Sequence, residues 1–216
     1  MSSGEGKLRA IAEKIARCQL CPLHASRTRA VPGEGPAAWI MLLGEAPGAQ
    51  EDLQGRPFVG SAGRFLDELL AEARIRRESV FITNVVKCRP PSNRIPRAGE
   101  IAACRPHLEA QIAALRPKLI CTMGAIATRT AIRGGSIKQL RGTPQDKGGI
   151  VYFPVLHPAA SLYDPKLGDL LRSDFRTLGR IIKDGPGRLL NNLGAATGHR
   201  TLDDYADSLR QPGRRG

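Results

Sequence analysis

Long hydrophobic runs are absent from this sequence of 216 residues, and no apolar stretch approaches the length that a membrane-spanning helix needs. The N-terminal segment MSSGEGKLRAIAEK carries charges where a signal peptide would need an apolar region. Both absences argue against a membrane or secreted protein. We therefore expect the protein to be cytoplasmic.

Acidic residues are scarce relative to basic ones, with 20 Asp and Glu against 33 Lys and Arg and a formal net charge of +13. Residues 184–216 carry a net charge of only +1, so the excess is not a basic tail. It favours a polyanionic partner, the alternative being charge spread evenly for solubility. Two groups of basic residues are candidate phosphate contacts: Lys87, Arg89, Arg94 and Arg97, and Arg129, Arg133, Lys138 and Arg141.

Predicted strands and helices alternate along the chain, and no internal repeat is visible. Short apolar runs predict strands over 38–43, 80–83, 119–122 and 150–156. Helical periodicity predicts helices over 5–17, 62–73, 98–115, 124–132 and 166–183. The alternation favours an α/β domain over 1–183, a three-layer α/β/α sandwich with a central four-stranded parallel sheet. Residues 184–216 are rich in Gly, Asn, Arg and Pro, and we expect a mostly disordered tail with at most a marginal turn near 202–209.

The stretch from Trp39 to Gly63 organises the first half of the chain. Its apolar start stops at the turn-forming sequence GEAPG, and a polar loop then leads to PFVG and a helix that begins at Ser61. In a parallel sheet, ligands bind at loops that leave the carboxyl ends of strands. Glu45 and Phe58, in a chain with only 4% aromatic residues, are therefore candidate ligand contacts. The alternative is an ordinary turn with a core phenylalanine.

Polar side chains follow three of the predicted strands, namely Glu45, Asn84 and His157. Because the carboxyl ends of parallel strands lie along one rim, a carboxylate, an amide and an imidazole should converge there. Taken singly, Asn84 is explained as a turn amide and His157 as a capped core histidine. Their joint placement at strand ends favours a functional site.

Five cysteines occur, four of them in the spacings C-x2-C and C-x15-C. The fifth, Cys121, lies within a predicted strand and is expected to be a small buried apolar residue. A cytoplasmic location disfavours disulfides. Four thiolates can hold zinc or an iron–sulfur cluster. The long second spacing weakens a zinc ribbon, but the spacing alone leaves both metals as alternatives.

With GEAPG, PFVG, TNVVKCRPP and HPAA in this order, the chain resembles the uracil-DNA glycosylase superfamily, and most of all the family 4 enzymes of the iron–sulfur type. The similarity covers roughly Cys18 to Ile182. It implies a DNA repair enzyme that hydrolyses the N-glycosidic bond of uracil in single- or double-stranded DNA and leaves an abasic site. We expect a monomer. The resemblance also implies a [4Fe–4S] cluster bound by Cys18, Cys21, Cys88 and Cys104.

The same resemblance assigns roles around the uracil. The GEAPG loop forms the base of the pocket and holds the attacking water, Phe58 stacks on the flipped base, Asn84 pairs with the uracil edge and His157 donates toward uracil O2. The implied catalytic residues are Glu45, Asn84 and His157. The implied uracil pocket consists of Gly44, Glu45, Ala46, Phe58, Asn84 and His157.

Two departures from related patterns are visible. Ala46 stands where family 4 members often carry glycine, and its methyl group is expected to narrow the pocket or to alter where water sits. A related branch cross-links to DNA through a histidine in an inserted basic loop. That insertion and its histidine are absent between Asn84 and Cys104, which disfavours suicide cross-linking.

Two other classes of function compete with this interpretation. A non-catalytic, metal-stapled nucleic-acid-binding module would keep its function after mutation of Glu45 or His157. A zinc hydrolase that uses His157 with cysteines would be colourless and would contain zinc.

Overall fold

The computed structural model describes residues 3–132 and 136–194. The strands are β1 (Ile40–Gly44), β2 (Phe81–Asn84), β3 (Leu119–Met123), β4 (Gln145–Lys147) and β5 (Ile150–Val155). The helices are α1 (Ser3–Ala16), α2 (Leu23–Ser26), α3 (Ala49–Gln54), α4 (Ser61–Glu72), α5 (Ala98–Leu115), α6 (Ala125–Ala131), α7 (Ile137–Leu140) and α8 (Pro165–Gly194). Short 3₁₀ turns cover Arg77–Ser79, Pro91–Asn93 and Pro158–Leu162.

The strands form one five-stranded sheet in the order β2-β1-β3-β5-β4. The four predicted strands are present and parallel to one another. The prediction of four strands missed β4, which pairs antiparallel with β5 at the edge. Its sequence Gln145-Asp146-Lys147 is polar and partly exposed, so it lacks the apolar alternation by which a strand is recognised. An edge strand needs no such pattern, since one side faces solvent.

Both faces of the sheet are covered, which confirms the three-layer arrangement. Successive side chains of a strand point to opposite faces, so Leu42 of β1 packs in one apolar cluster and Leu43 in the other. The first cluster receives α4 and α8, with Leu69 and Phe175 fully buried. The second receives α5, with Leu108, and α1 packs against α5 on that side. Burial on both faces explains the continuously apolar parallel strands.

Helix α3 occupies residues that were predicted as a polar loop, because its six residues are too few for an apolar period to show. Helix α8 runs further than the predicted 166–183 and is interrupted at Gly185, whose φ of 80° is not helical. The domain boundary predicted after residue 183 lies next to this break and stays a prediction. Residues 195–216 and Arg133 lie outside the described ranges. Among the described residues, no helix combines the length and the apolar character needed to cross a membrane.

Helix α4 packs tightly against the loop that carries Phe58. A Cβ atom built on Gly63 would overlap the Phe58 carbonyl group, so only glycine lets the helix approach this closely. Phe58 itself has a φ of 52°, in the left-handed region. The close packing of Gly63 therefore helps to fix an otherwise unfavourable backbone conformation at the aromatic residue.

We predict that Gly63→Ala lowers the free energy of unfolding by about 1–3 kcal/mol, the usual scale for an overpacked site. Gly99→Ala is the matched control, because a Cβ there meets no atom within 4 Å and alanine is the better helix former. Urea unfolding at one pH compares the two variants with the wild type. Equal stability of Gly63→Ala and the wild type would contradict the close approach.

Candidate active site

A cleft of about 470 Å³ opens at the carboxyl ends of the parallel strands. It lies where the strand order reverses, since β2 is on one side of β1 and β3 is on the other. Such a reversal is the usual ligand site of an open α/β sheet. Five of the six predicted pocket residues line this cleft together: Glu45, Ala46, Phe58, Asn84 and His157.

The sixth, Gly44, is not among the lining residues but lies against two residues that are, Asn84 and Phe58. It is the register partner of Asn84 in the neighbouring strand. A Cβ on Gly44 would collide with the side chains of Asn84 and Phe58. The absence of a side chain therefore creates the space in which the amide and the aromatic ring stand side by side.

Asn84 ends β2 with its side chain in the cleft and is only 1% exposed. Its Oδ1 atom has no hydrogen-bond partner among the described residues. A buried amide oxygen without a partner costs free energy, of the order of 1–3 kcal/mol, so such atoms usually await a ligand. The amide can both accept and donate, which suits a planar ligand that carries an N–H group beside a carbonyl.

His157 lies two residues after β5, against the Phe58 ring, with ring centroids 5.8 Å apart and planes 29° from parallel. The Ala159 N–H group donates to His157 Nδ1 at 3.2 Å. Burial lowers the pKa of His157 to about 4, although the Glu51 carboxylate opposes this effect. The ring is therefore neutral at pH 7. With Nδ1 acting as an acceptor, its proton lies on Nε2, which is left as a donor.

Glu45 is half-buried at the start of the loop that follows β1. Burial raises the pKa of its carboxyl group, and the guanidinium of Arg129 on α6 opposes that rise. Arg129 is exposed, and its charge lies near enough to Glu45 to affect that carboxyl group. A carboxyl group with a raised pKa is suited to accept a proton from water near neutral pH.

Glu51 was missed by the sequence analysis, yet it holds the two pocket loops together. Its buried carboxylate accepts hydrogen bonds from the N–H groups of Val59 and Gly60, each at 2.8 Å, and of Gly48 at 3.1 Å. Gly48 precedes α3, and Glu51 is its third helical residue, the acid position of a capping box. That spacing in the sequence was the available signal.

The far wall of the cleft comes from the Pro91–Asn93 turn, which the sequence analysis placed only in a basic, proline-rich loop. Asn93 and Arg94 line the cleft, and Asn93 has a φ of 54°. Arg89 Nε donates to Asn93 Oδ1 at 2.8 Å. Arg94 donates to both carboxylate oxygens of Glu100, at 2.9 and 2.6 Å. These contacts hold a strained turn beside the pocket.

The basic residues predicted to contact phosphates differ in whether they are buried, paired with an acid or exposed. Lys87 is only 1% exposed, so its prediction as a phosphate contact is wrong. Arg141 is paired with Asp174 at 2.6 Å and is therefore already occupied. Arg97, Arg129 and Lys138 are exposed and stay candidates. Sequence alone cannot separate these cases, because burial of a lysine depends on which acceptors the fold brings to it.

A second cavity, of about 10 Å³, is lined by Cys18, Cys21, Cys88 and Cys104. The first two follow α1 and the last lies in α5, so the packing of α1 on α5 brings the two cysteine pairs together. Within the described ranges, however, no three side chains of ligand type stand in a metal-binding arrangement. Cys121 is fully buried in β3, as a core residue would be.

Two of these thiols accept hydrogen bonds from N–H donors. Arg27 donates to Cys88 Sγ at 3.1 Å, and the Lys87 backbone N–H donates to Cys104 Sγ at 3.3 Å. Burial raises the pKa of Cys88 and raises that of Cys104 to about 11. His107 also lines the cavity, and its buried Nε2 has no partner in the described part of the chain. Four thiols, two of which accept from N–H donors, fit a thiolate-bound metal group.

Comparison with known proteins agrees with this geometry. Residues 32–178 match the model of the uracil DNA glycosylase superfamily. A type-4 uracil-DNA glycosylase of Sulfurisphaera tokodaii is 46% identical over 81% of this chain and 84% of its own length. One of Thermotoga maritima is 44% identical over 84% of this chain and 92% of its own length. A type-5 uracil-DNA glycosylase of Thermus thermophilus is 34% identical over 55% of this chain and 68% of its own length.

The lowered pKa of His157 predicts a pH dependence of stability. Between about pH 4 in the folded state and about pH 6.5 in the unfolded state, the unfolded chain binds more protons at this residue. The free energy of unfolding should therefore fall as the pH is lowered through that window, and His157→Gln should make the fall shallower. Urea unfolding from pH 4 to 8 tests this, and the two curves should be parallel above about pH 7, where the imidazole is neutral in both states. Equal slopes throughout would contradict the burial of a neutral imidazole.

Proposed function

Because the chain belongs to the uracil DNA glycosylase superfamily, we propose that it removes uracil from DNA by hydrolysing the N-glycosidic bond and leaving an abasic site. The observation that carries this proposal is the amide oxygen of Asn84, which is buried in the cleft with Phe58 and His157 and has no hydrogen-bond partner within residues 3–132 and 136–194. A pocket with an unsatisfied amide, a neutral imidazole donor and an aromatic wall suits a flat base with carbonyl and N–H groups.

Recognition of uracil follows from the amide of Asn84. Uracil presents an N3–H donor between two carbonyl acceptors. The Asn84 oxygen accepts from N3–H, and the Asn84 NH₂ group donates to the C4 carbonyl. Cytosine has no hydrogen on N3 and carries an amino group at C4, so an amide held in this orientation would lose both contacts. Phe58 contributes a face for stacking.

The target nucleotide must leave the base stack, because the glycosidic bond cannot be reached inside a duplex. This costs a few kcal/mol and is easier in single strands or at mismatches. Exposed cations near the cleft, among them Arg97 and Arg129, bind the phosphates. Affinity for DNA should therefore fall with added salt.

Cleavage of the glycosidic bond places negative charge on the uracil and positive charge on the sugar. The Nε2–H group of neutral His157 donates to uracil O2, where that negative charge accumulates. Preorganised donors of this kind stabilise the transition state more than the ground state. Glu45 orients water toward the sugar or stabilises its positive charge, and its raised pKa suits acceptance of the water proton.

The thiols of Cys18, Cys21, Cys88 and Cys104 would hold a [4Fe–4S] cluster as the resident cofactor. When bound, it supplies a cross-link between the segment after α1 and the segment that carries the Pro91–Asn93 turn, and its role is structural rather than redox. The support is the convergence of the thiols on one cavity and the N–H donors at Cys88 and Cys104. Zinc is the competing occupant, since it accepts the same four thiolates.

Incubation of the purified protein with a uracil-containing oligonucleotide, followed by alkali, tests the function. We expect strand cleavage at the uracil position and none in the same oligonucleotide with thymine. A non-catalytic binding module predicts DNA binding without cleavage. A zinc hydrolase that cuts the backbone predicts cleavage without alkali.

Three variants of the rim should separate its roles. His157→Ala removes a donor to the uracil anion and should slow single-turnover excision by roughly 10²–10³, with little change in DNA affinity. Asn84→Asp replaces the NH₂ group that donates to a uracil carbonyl with a carboxylate oxygen, which can only accept. This should weaken recognition of uracil. Glu45→Gln should slow excision while keeping the fold, and Glu78→Gln at an exposed site is its control. Parallel loss of binding and excision in all three rim variants would contradict the proposed roles.

Colour tests the cofactor. The protein should be brown after anaerobic purification, because iron–thiolate clusters absorb visible light. Serine at any of the four cavity cysteines should remove the colour, while Cys121→Ser, a core cysteine outside the cavity, should keep it. A colourless protein with stoichiometric zinc would contradict the iron assignment.

A further inference from the structure

Lys87 carries the one lysine ammonium that is fully buried among the described residues. Its Nζ donates to three oxygen atoms: Thr83 Oγ1 at 2.7 Å, the Asn84 carbonyl at 2.6 Å and Gln111 Oε1 at 2.7 Å. An ammonium has three N–H groups, so every donor is used. Removal of a charge from water is expensive, and a lysine is buried in this way only where specific acceptors surround it.

The acceptors belong to a network that fixes the end of β2. Thr83 Oγ1 and Gln111 Nε2 both donate to the Pro32 carbonyl, at 3.0 and 2.6 Å. Strand β2 is thereby tied to α5 and to the segment before β1. The Lys87 ammonium stands at the centre of the network, bonded to residues of both β2 and α5.

The backbone of Lys87 is held from the other side. Its N–H group donates to Cys104 Sγ at 3.3 Å, and its carbonyl accepts from Val31 N–H at 2.7 Å. The side chain runs back from this anchored position to the Asn84 carbonyl, three residues earlier. Asn84 is the last residue of β2, and beyond it the N–H groups of Val85 and Val86 still donate to the carbonyls of Gly44 and Glu45, at 2.9 and 3.2 Å. The Lys87 contact adds a restraint on the Asn84 carbonyl itself.

We propose that Lys87 is a positioning residue for Asn84: its buried ammonium clamps the Asn84 carbonyl so that the amide side chain is held in the cleft at the position where it reads the base. This inference rests on the proposed function, because it assigns a cause to the geometry of the residue proposed to recognise uracil. The role is indirect, since Lys87 does not line the cleft. Displacement of a positioning contact by about 1 Å can slow a reaction by up to about 10².

A double-mutant cycle tests the inference by single-turnover excision at saturating protein, on the wild type, Lys87→Met, Asn84→Ala and the double variant. Lys87→Met keeps an unbranched apolar stem of four heavy atoms and removes the ammonium. We expect it to slow excision by about tenfold to a hundredfold in the wild-type background and by less than about threefold when Asn84 is already alanine. A residue that only stabilises the fold would cost the same factor in both backgrounds.

Thr83→Val is the matched control, because it removes another contact of the same ammonium but leaves the bond to Asn84. It should excise uracil within about threefold of the wild type, as expected for a variant that perturbs stability alone. Iron content and the unfolding midpoint of each variant show whether the cysteine cavity and the fold are intact. If Lys87→Met does not fold, Lys87→Gln takes its place in the cycle. Glutamine keeps a polar donor group, but its side chain is too short to reach the same acceptors.

The outcomes separate this inference from the proposed function. If the wild type excises uracil but Lys87→Met slows excision equally in both backgrounds, or does not slow it at all, the positioning role alone is overturned. Absence of excision by the wild-type protein would overturn the proposed function and this inference with it. A tenfold or greater loss that disappears in the Asn84→Ala background would support the positioning role.

Discussion

The cleft depends on one buried carboxylate. Glu51 accepts hydrogen bonds from the backbone N–H groups of Gly48, Val59 and Gly60, and so joins the loop after β1 to the loop that carries Phe58. Neither loop has a regular ladder to hold it. Hydrogen bonds to a charged acceptor are stronger than neutral ones and restrict geometry, so a single side chain can fix both walls. Its charge also lies near enough to His157 to oppose the lowering of that pKa.

Burial away from water gives each polar group of the cleft its properties. It keeps His157 neutral, raises the pKa of Glu45 and leaves Asn84 Oδ1 without a partner in the part of the chain that the structure describes. Each of these is unfavourable for stability, and the sheet and helices that bury the residues must offset the cost. A base that enters the cleft would satisfy the amide, and a developing negative charge would meet a donor that is already oriented.

Sequence patterns predicted the parallel strands and the long helices because those elements are buried on a regular face. They also predicted that Glu45, Asn84 and His157 lie on one rim, since strand ends in a parallel sheet have a fixed relation. The missed features depend on contacts between distant segments. Strand β4 is polar and forms only by pairing with β5 at the edge of the sheet. Glu51 accepts from backbone N–H groups of another loop. Lys87 looks like a surface cation in the sequence, and only the fold shows its acceptors on β2 and α5.

The most direct test of this account is single-turnover excision of uracil by Glu51→Gln. The glutamine is nearly isosteric, but its NH₂ group would face one of the backbone N–H donors, so the two loops should lose their common anchor. We predict excision at least about tenfold slower than the wild type, because the groups that meet the base would be misplaced. Glu78→Gln, at an exposed position, should match the wild type. Excision by Glu51→Gln at the wild-type rate would contradict the account.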